Sequence, residues 1–182
     1  MAFPSYYLAP ISYYAQLAQS ETVSIDLDEP YRKQTLRNRC YIASPNGPLA
    51  LTIPVVKFVP YHTPMRDIRI SDHGNWRHLH WNALVNSYRR TPFFEFYADE
   101  FAPFYEKKWE FLVDYNQALQ DLVCKEIGLV ANGKPLAVDH LPLPGQRPYY
   151  QLFSDRNGFM PDLSIVDLLF NLGPEALLYL IS

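Results

Sequence analysis

The chain has 182 residues, of which 48% are hydrophobic and 19% charged, and its formal net charge is −3. A chain of this length can bury roughly two-thirds of the surface that its unfolded form exposes, so we expect a single domain over residues 1–182. The composition is that of a globular protein and argues against disorder. Proteins that grip nucleic acid by its phosphates carry a basic excess, so a nucleic-acid partner is not expected.

The two cysteines, Cys40 and Cys124, lie far apart and lack partners at metal-ligand spacing, which is typical of reduced thiols in an intracellular protein. His78 and His80 are two residues apart, so on a helix they point in different directions and no metal site is predicted. The sequence shows neither a secretory signal nor an apolar run of about 18 residues. We therefore expect a cytoplasmic protein without a transmembrane segment.

The N-terminal part of the chain predicts a strand–helix–strand unit. Residues 6–9 form a short apolar run closed by Pro10, and residues 11–18 place apolar side chains on one helical face. Residues 22–27 alternate and are rich in β-branched side chains, as strands are. A parallel βαβ unit would place its ligand edge at the carboxyl ends of the strands, near Pro10 and Asp26.

A β-hairpin is predicted next. Residues 39–43 and 49–55 flank Asn46-Gly47, a pair that supplies the positive φ angles of a tight turn. Residues 57–65 are predicted to be a loop, and the alternating residues 66–70 a half-exposed strand.

The rest of the chain is expected to be mainly helical. The fold class is therefore predicted as α/β, with a mixed α+β arrangement as the alternative. Helices are predicted over residues 75–90, 107–129 (ending near Gly128), 163–172 and 174–181, with short aromatic helices over 93–105 and a loop or linker over 132–148.

The polar run of residues 32–39 is the most informative stretch. Arg32, Lys33, Arg37 and Arg39 lie there among amide side chains, and such groups suit a phosphorylated or carboxylated small molecule. The run directly follows a predicted strand, where α/β proteins place ligand sites. A solvated charged face, offset by the acidic residues that precede it, is the alternative.

A second cluster lies on the helix predicted over residues 75–90. Trp76, Arg77, His80 and Trp81 share its first turns; indole rings stack on sugars or bases, and histidine transfers protons near neutral pH. A role of Trp81 in the core is the alternative. Further along, Asp162 is predicted to be a helix N-cap.

Five stretches in this order resemble the WbqC-like protein family over essentially the whole chain. They are residues 6–13, 34–42, 46–55, 80–88 and 162–177. The resemblance implies a role in O-antigen or other surface-polysaccharide biosynthesis, and a glycine or aminoacyl transferase acting on a sugar or nucleotide-sugar has been suggested for some members.

The resemblance brings no established catalytic residues, and the sequence does not identify a cofactor. The motif positions that it marks as candidate ligand-binding residues are Lys33, Arg37, Asn38, Arg39, Thr52 and Pro54. We add Trp81 as a further candidate. The N-terminal layout is also distantly similar to half of a HIGH-motif nucleotidyltransferase. Residues 9–12 lack the histidines of that motif, which weighs against ATP-driven adenylyl transfer.

The first functional hypothesis is a transferase. Lys33, Arg37 and Arg39 would hold a phosphate or carboxylate and stabilise developing negative charge. His80 or Asp26 would act as the general base that deprotonates an attacking amine or hydroxyl.

The second hypothesis is a non-catalytic ligand-binding or scaffold protein of the same pathway. Its partner surface would be the aromatic segment of residues 93–105, and a homo-oligomer is left open. Convergence of Arg37, Asn38, Arg39 and His80 on one concavity would favour the transferase, whereas scattered side chains would favour the scaffold.

Overall fold

A computed structural model describes residues 2–129 and 147–182. Those residues form small sheets and several helices, which confirms the mixed α/β class. The strands are β1 (Ala2–Pro4), β2 (Ser24–Asp26), β3 (Arg39–Ser44) and β4 (Gly47–Thr52), and the α-helices are α1 (Ile11–Ala18), α2 (Trp76–Tyr88), α3 (Phe94–Glu106), α4 (Leu112–Ile127), α5 (Ser154–Asn157), α6 (Ile165–Leu172) and α7 (Ala176–Ile181).

The N-terminal unit is a parallel βαβ unit, but its first strand is not where the sequence predicts it. β1 pairs in parallel with β2, with Phe3 opposite Ile25. The strand predicted at residues 6–9 is wrong: these residues form a turn in which Leu8 has a φ of 40°. The apolar run exists because Tyr7 and Leu8 are buried in the core, not because they belong to a sheet.

Among the described residues, the sheet of this βαβ unit is small. β1 and β2 have three residues each and form a sheet of two strands. The similarity to half of a HIGH-motif nucleotidyltransferase is not confirmed. Asp26, at the end of β2, nevertheless lies at the carboxyl edge of the unit, as expected.

The hairpin prediction is confirmed. β3 and β4 pair antiparallel, from Arg39 opposite Thr52 to Ser44 opposite Gly47. Gly47 has a φ of 103°, a conformation that costs glycine little because it has no Cβ. Its Asn46-Gly47 turn therefore sets the register that brings Arg39 beside Thr52.

The strand predicted over residues 66–70 is wrong. Met65–Asp67 forms a 3-10 turn, and Arg69 and Ile70 make only isolated bridges, to Phe111 and Val55. Ile68 and Ile70 are buried on either side of the exposed Arg69, and the 3-10 turn packs against α4, so this alternation arises without a regular strand.

The helical part of the fold largely follows the periodicity of the sequence. α2 forms as predicted, whereas α4 begins at Leu112, five residues after the predicted start at residue 107. Gly128 ends α4 in the left-handed conformation at a φ of 78°. The aromatic segment is one helix, α3, rather than several short ones, and it contains Pro103. A loop is predicted over residues 132–148, of which residues 132–146 lie outside the described residues.

An aromatic core joins these helices. The ring of Phe170 on α6 lies 5.2 Å from that of Tyr88, 5.1 Å from that of Phe94 and 5.5 Å from that of Phe101, measured between centroids. All four side chains are buried. In the described ranges, no helix is both long and apolar enough to cross a bilayer.

Candidate functional site

The cations of the polar run do not share one role. The guanidinium of Arg37 forms a bidentate ion pair with the carboxylate of Glu29. The two side chains are only 12% and 17% exposed. A third nitrogen of Arg37 donates to the Thr35 hydroxyl at 3.3 Å. The positive charge of Arg37 is therefore neutralised inside the protein, and the ion pair holds the polar run against the turn that follows β2.

Asn38 and Arg39 hold the hairpin. Asn38 is buried, and its Nδ2 donates to the carbonyl oxygen of Ile53 at 2.9 Å. Arg39 Nε donates to the hydroxyl of Thr52 at 3.0 Å, directly across the two strands. These contacts tie the start of β3 to the end of β4.

His80 lies at the end of this hairpin, inside the protein. Its side chain is 5% exposed, and its Nε2 lies 3.2 Å from the carbonyl oxygen of Thr52. Because a carbonyl only accepts, Nε2 carries the proton, and we assign the donor at Nδ1 as the hydroxyl of Tyr7, 3.0 Å away. Burial lowers the pKa of His80 to about 4. The imidazole is therefore neutral at pH 7, with both nitrogens engaged.

The network continues through a second tyrosine. The hydroxyl of Tyr105 lies 3.0 Å from that of Tyr7 and, because the Tyr7 proton points to His80, Tyr105 donates. Burial raises the pKa of both phenols, so they stay protonated. The result is a directed chain of neutral groups that fixes the position of the Thr52 carbonyl.

Asp26 is exposed and shapes the turn after β2. Its Oδ1 accepts hydrogen bonds from the backbone amides of Asp28 at 3.0 Å and Glu29 at 3.1 Å. This turn presents Glu29 to Arg37. Trp81 is half-buried, with its ring stacked 5.7 Å from that of Tyr105, which favours the core role that the sequence left open.

The remaining cations of the run, Arg32 and Lys33, border an open cleft of about 400 Å³, which we call the Arg32 cleft. In the part of the chain that the structure describes, neither side chain forms an ion pair, and no carboxylate lines the cleft. The full lining is Tyr31, Arg32, Lys33, Thr35, Phe58, Pro60 and Tyr61.

A buried aromatic pair anchors the cleft. Tyr31 is 1% exposed, and its ring meets that of Phe58 edge-on at 4.8 Å. Its backbone amide donates to the carbonyl oxygen of Thr63 at 3.0 Å, which brings the two walls together. Burial raises the pKa of Tyr31 to about 12. The ammonium of Lys33 lies 5.4 Å from the centre of the Phe58 ring, a cation–π contact that holds the lysine at the cleft.

Tyr61 stands at the edge of the same cleft. Its side chain is 77% exposed, and its φ is 63°. The surrounding turn is closed by two hydrogen bonds of 3.1 Å, from Thr63 N to Val59 O and from Val59 N to Thr63 Oγ1. The turn therefore holds the ring of Tyr61 in solvent. Its backbone has a conformation that bulky residues rarely adopt.

Two other cavities have different chemistry. The larger, about 530 Å³, lies between β2 and α4; its walls are mostly apolar, and its charged residues are Asp114 and Asp121. The smaller, about 110 Å³, is bordered by Leu8 and Asp162, with Asp162 as its charged residue. Of the three, the Arg32 cleft is the one lined by cations.

The structure does not bring the predicted site residues to one concavity. Lys33 lines the Arg32 cleft, whereas Arg37, Asn38, Arg39 and His80 line none of the three cavities. Within residues 2–129 and 147–182, no three His, Cys, Asp or Glu side chains group as metal ligands would.

Sequence reasoning missed the aromatic wall of the cleft. Tyr31 directly precedes the polar run, and Phe58 and Tyr61 lie in the segment predicted only as a loop. The available signal was two aromatic residues in a proline-containing loop. Their position opposite Arg32 depends on backbone contacts between segments about 30 residues apart, such as Tyr31 N to Thr63 O.

Fold and cleft together define a mixed α/β protein with an open, positively charged cleft beside a β-hairpin. The model of the WbqC-like protein family matches residues 5–137, which include both walls of the cleft, so the chain belongs to this family. It is 28% identical over 219 aligned positions to the uncharacterized protein Rv1507c of Mycobacterium tuberculosis (strain ATCC 25618 / H37Rv), covering 97% of this chain and 94% of that protein. No solved structure matches the chain.

Proposed function

We propose that the protein binds a small phosphorylated or carboxylated molecule in the Arg32 cleft. The observation that carries this proposal is a cleft of about 400 Å³ lined by Arg32 and Lys33, which, among the described residues, form no ion pair and share the cleft with no carboxylate. Such a volume lies within the range of roughly 300–1,000 Å³ typical of small-molecule sites. Guanidinium binds phosphate or carboxylate in a bidentate manner, and lysine adds a point charge.

The biological role that we propose is a transferase in surface-polysaccharide assembly, such as an aminoacyl transferase acting on a sugar or nucleotide-sugar. The family resemblance supports this pathway, and in this proposal the cleft would hold the anionic group. Neither candidate base lines the cleft: His80 is buried with both nitrogens in hydrogen bonds, whereas Asp26 has an exposed carboxylate and would act on a part of the substrate that extends beyond the cleft. In this role Arg37 and Arg39 hold the frame of the site.

A specific observation favours the second candidate, a non-catalytic ligand-binding protein of the same pathway. Arg37, Asn38, Arg39 and His80 are engaged in internal hydrogen bonds and line none of the three cavities. A binding protein needs the cleft alone, without a nearby base.

Calorimetry against phosphorylated and carboxylated molecules tests the binding proposal, after a thermal-shift screen of nucleotides, nucleotide-sugars, amino acids and acyl-CoA. A charge-assisted hydrogen bond contributes about 1.5–3 kcal/mol, so the double variant Arg32→Ala/Lys33→Ala should lose at least tenfold in affinity. Lys57→Ala removes an exposed cation that does not line the cleft and should bind as the wild type does. Equal affinities of wild type and double variant would refute the proposal.

A turnover assay separates the two roles. The molecule found in the screen is incubated with amino-acid or acyl donors, and the products are followed by mass spectrometry. A transferase should form product, and Asp26→Asn should slow that step while binding in the cleft persists. Tight binding with no product from any donor would favour the binding protein.

A further inference from the structure

We infer that the Arg32 cleft takes a nucleoside diphosphate, with its base stacked on Tyr61 and its phosphates held by Arg32 and Lys33. This inference rests on the proposed binding function and specifies which anionic molecule fits. The cleft combines an exposed ring, a fixed aromatic wall and two adjacent cations.

The ring of Tyr61 is exposed. With 77% of its surface in solvent, the side chain contributes little to the core. Its φ of 63° costs free energy, and a strained conformation of this kind persists only where the surroundings enforce it, often at ligand clamps. The hydrogen-bonded turn from Val59 to Thr63 enforces it here. The ring thus offers a free π-face at the edge of the cleft.

An aromatic wall lies within the cleft. Phe58 is held by the buried Tyr31 ring on one side and by the Lys33 ammonium at 5.4 Å on another. Two aromatic side chains of the same loop, Phe58 and Tyr61, therefore line one small cleft. Stacking on aromatic rings tolerates every base because each base has a π-face.

Two exposed cations determine the charge of the cleft. Arg32 and Lys33 are neighbours in the chain, both exposed, and Glu29, the acidic side chain just before them, is occupied by Arg37. The net charge of the lining is thus positive, and two cations suit the two linked phosphates of a diphosphate better than a single carboxylate.

The size of the cleft agrees with this combination. A free phosphate or a small amino acid would occupy the cations and leave most of about 400 Å³, including the aromatic wall, in contact with water. A nucleoside diphosphate covers the cations and the rings at once. The apolar and aromatic lining then contributes to affinity together with the charges.

The test compares UDP and ADP, a pyrimidine and a purine diphosphate, with pyrophosphate by isothermal calorimetry at fixed ionic strength. The wild type should bind at least one of the two nucleotides about tenfold or more tightly than pyrophosphate, in keeping with the contribution of base stacking. Tyr61→Ala should remove this advantage and leave pyrophosphate binding unchanged. Tyr61→Phe keeps the ring and should bind within about twofold of the wild type, whereas Arg32→Ala should weaken nucleotides and pyrophosphate alike.

His62→Ala, an exposed neighbour that does not line the cleft, is the matched control, and thermal melts of all variants check that they fold. Nucleotides that bind no tighter than pyrophosphate would overturn the inference, as would an equal effect of Tyr61→Ala on both ligands. If pyrophosphate still binds and depends on Arg32 and Lys33, the proposed binding function stands without the nucleoside. If neither nucleotides, pyrophosphate nor carboxylates bind, both proposals fail.

Discussion

Acidification should destabilise the protein through His80. Burial lowers the pKa of this histidine from its ordinary value of 6.5 to about 4. Between these two values, the unfolded chain binds a proton at His80 that the folded protein does not bind. Linkage then requires the free energy of unfolding to fall as the pH falls from about 6.5 towards 4, and to be unaffected by His80 above this window.

The size of the effect follows from the same two pKa values. One unit of pKa difference corresponds to about 1.4 kcal/mol, so the full depression is worth about 3 kcal/mol, most of which is lost by pH 4.5. Since domains are stable by only about 5–15 kcal/mol, this is a substantial fraction of the total. The molecular event is protonation of Nδ1, which breaks the hydrogen bond from Tyr7 and buries a charge.

Urea unfolding at pH 7.5 and at pH 4.5 measures this effect, with His80→Gln as the comparison protein. Glutamine retains an N–H that can donate to the Thr52 carbonyl, but it does not titrate. The variant will be less stable at both pH values, since its packing differs. The informative quantity is the loss between the two pH values, which should be smaller in the variant by about 2–3 kcal/mol.

All other titrating groups are common to the two proteins, so their contributions cancel in this comparison. An equal loss of stability in wild type and variant would refute the reasoning. It would mean that His80 accepts a proton in the folded state as readily as in the unfolded chain, and that the Tyr7–His80–Thr52 network does not hold the imidazole neutral.

Further substitutions test the Arg37–Glu29 ion pair and the packing at two glycines. Arg37→Ala should cost about 2 kcal/mol because it leaves the half-buried carboxylate of Glu29 without its partner, and adding Glu29→Gln should recover part of that loss in urea unfolding; no recovery would show that the ion pair is not the cause. Gly173→Ala should cost about 3 kcal/mol, since its Cβ would lie 2.5 Å from the ring of Phe93 at a φ of 53°. Gly74→Ala, at a φ of 77° in open space, should cost only about 1 kcal/mol, and equal losses at the two glycines would contradict the packing explanation.

The elements that the sequence predicted well are those with local signals. α2 and α4 carry the periodicity or end signals of helices, and the hairpin carries Asn46-Gly47 at its turn. The strand at residues 6–9 failed because a short apolar run reports burial, and burial here comes from tertiary packing. β1 itself has three residues and exists through its pairing with β2, which no short-range pattern encodes.

The polar run contains Arg32 and Lys33, which line the cleft, together with Arg37, which is paired inside the protein. The sequence pattern did not distinguish the exposed cations from the paired one. Which cations stay free depends on Glu29, whose turn is built by the Asp26 side chain. The aromatic wall depends on contacts across about 30 residues, including Met65 N to Glu29 O at 2.9 Å, and these have no sequence period.

The position of Asp162 has a consequence for how the start of α1 is held. This residue does not cap the helix that follows it; its carboxylate accepts 2.8 Å hydrogen bonds from the backbone amide and the hydroxyl of Ser12, at the start of α1. A few residues away, the hydroxyl of Ser164 donates to the carbonyl oxygen of Leu8. The first helix to be synthesised thus obtains its cap from a residue 150 positions later. The hydrogen bonds that hold the start of α1 therefore join residues at opposite ends of the chain, so the packing of this helix depends on contacts of very high sequence separation.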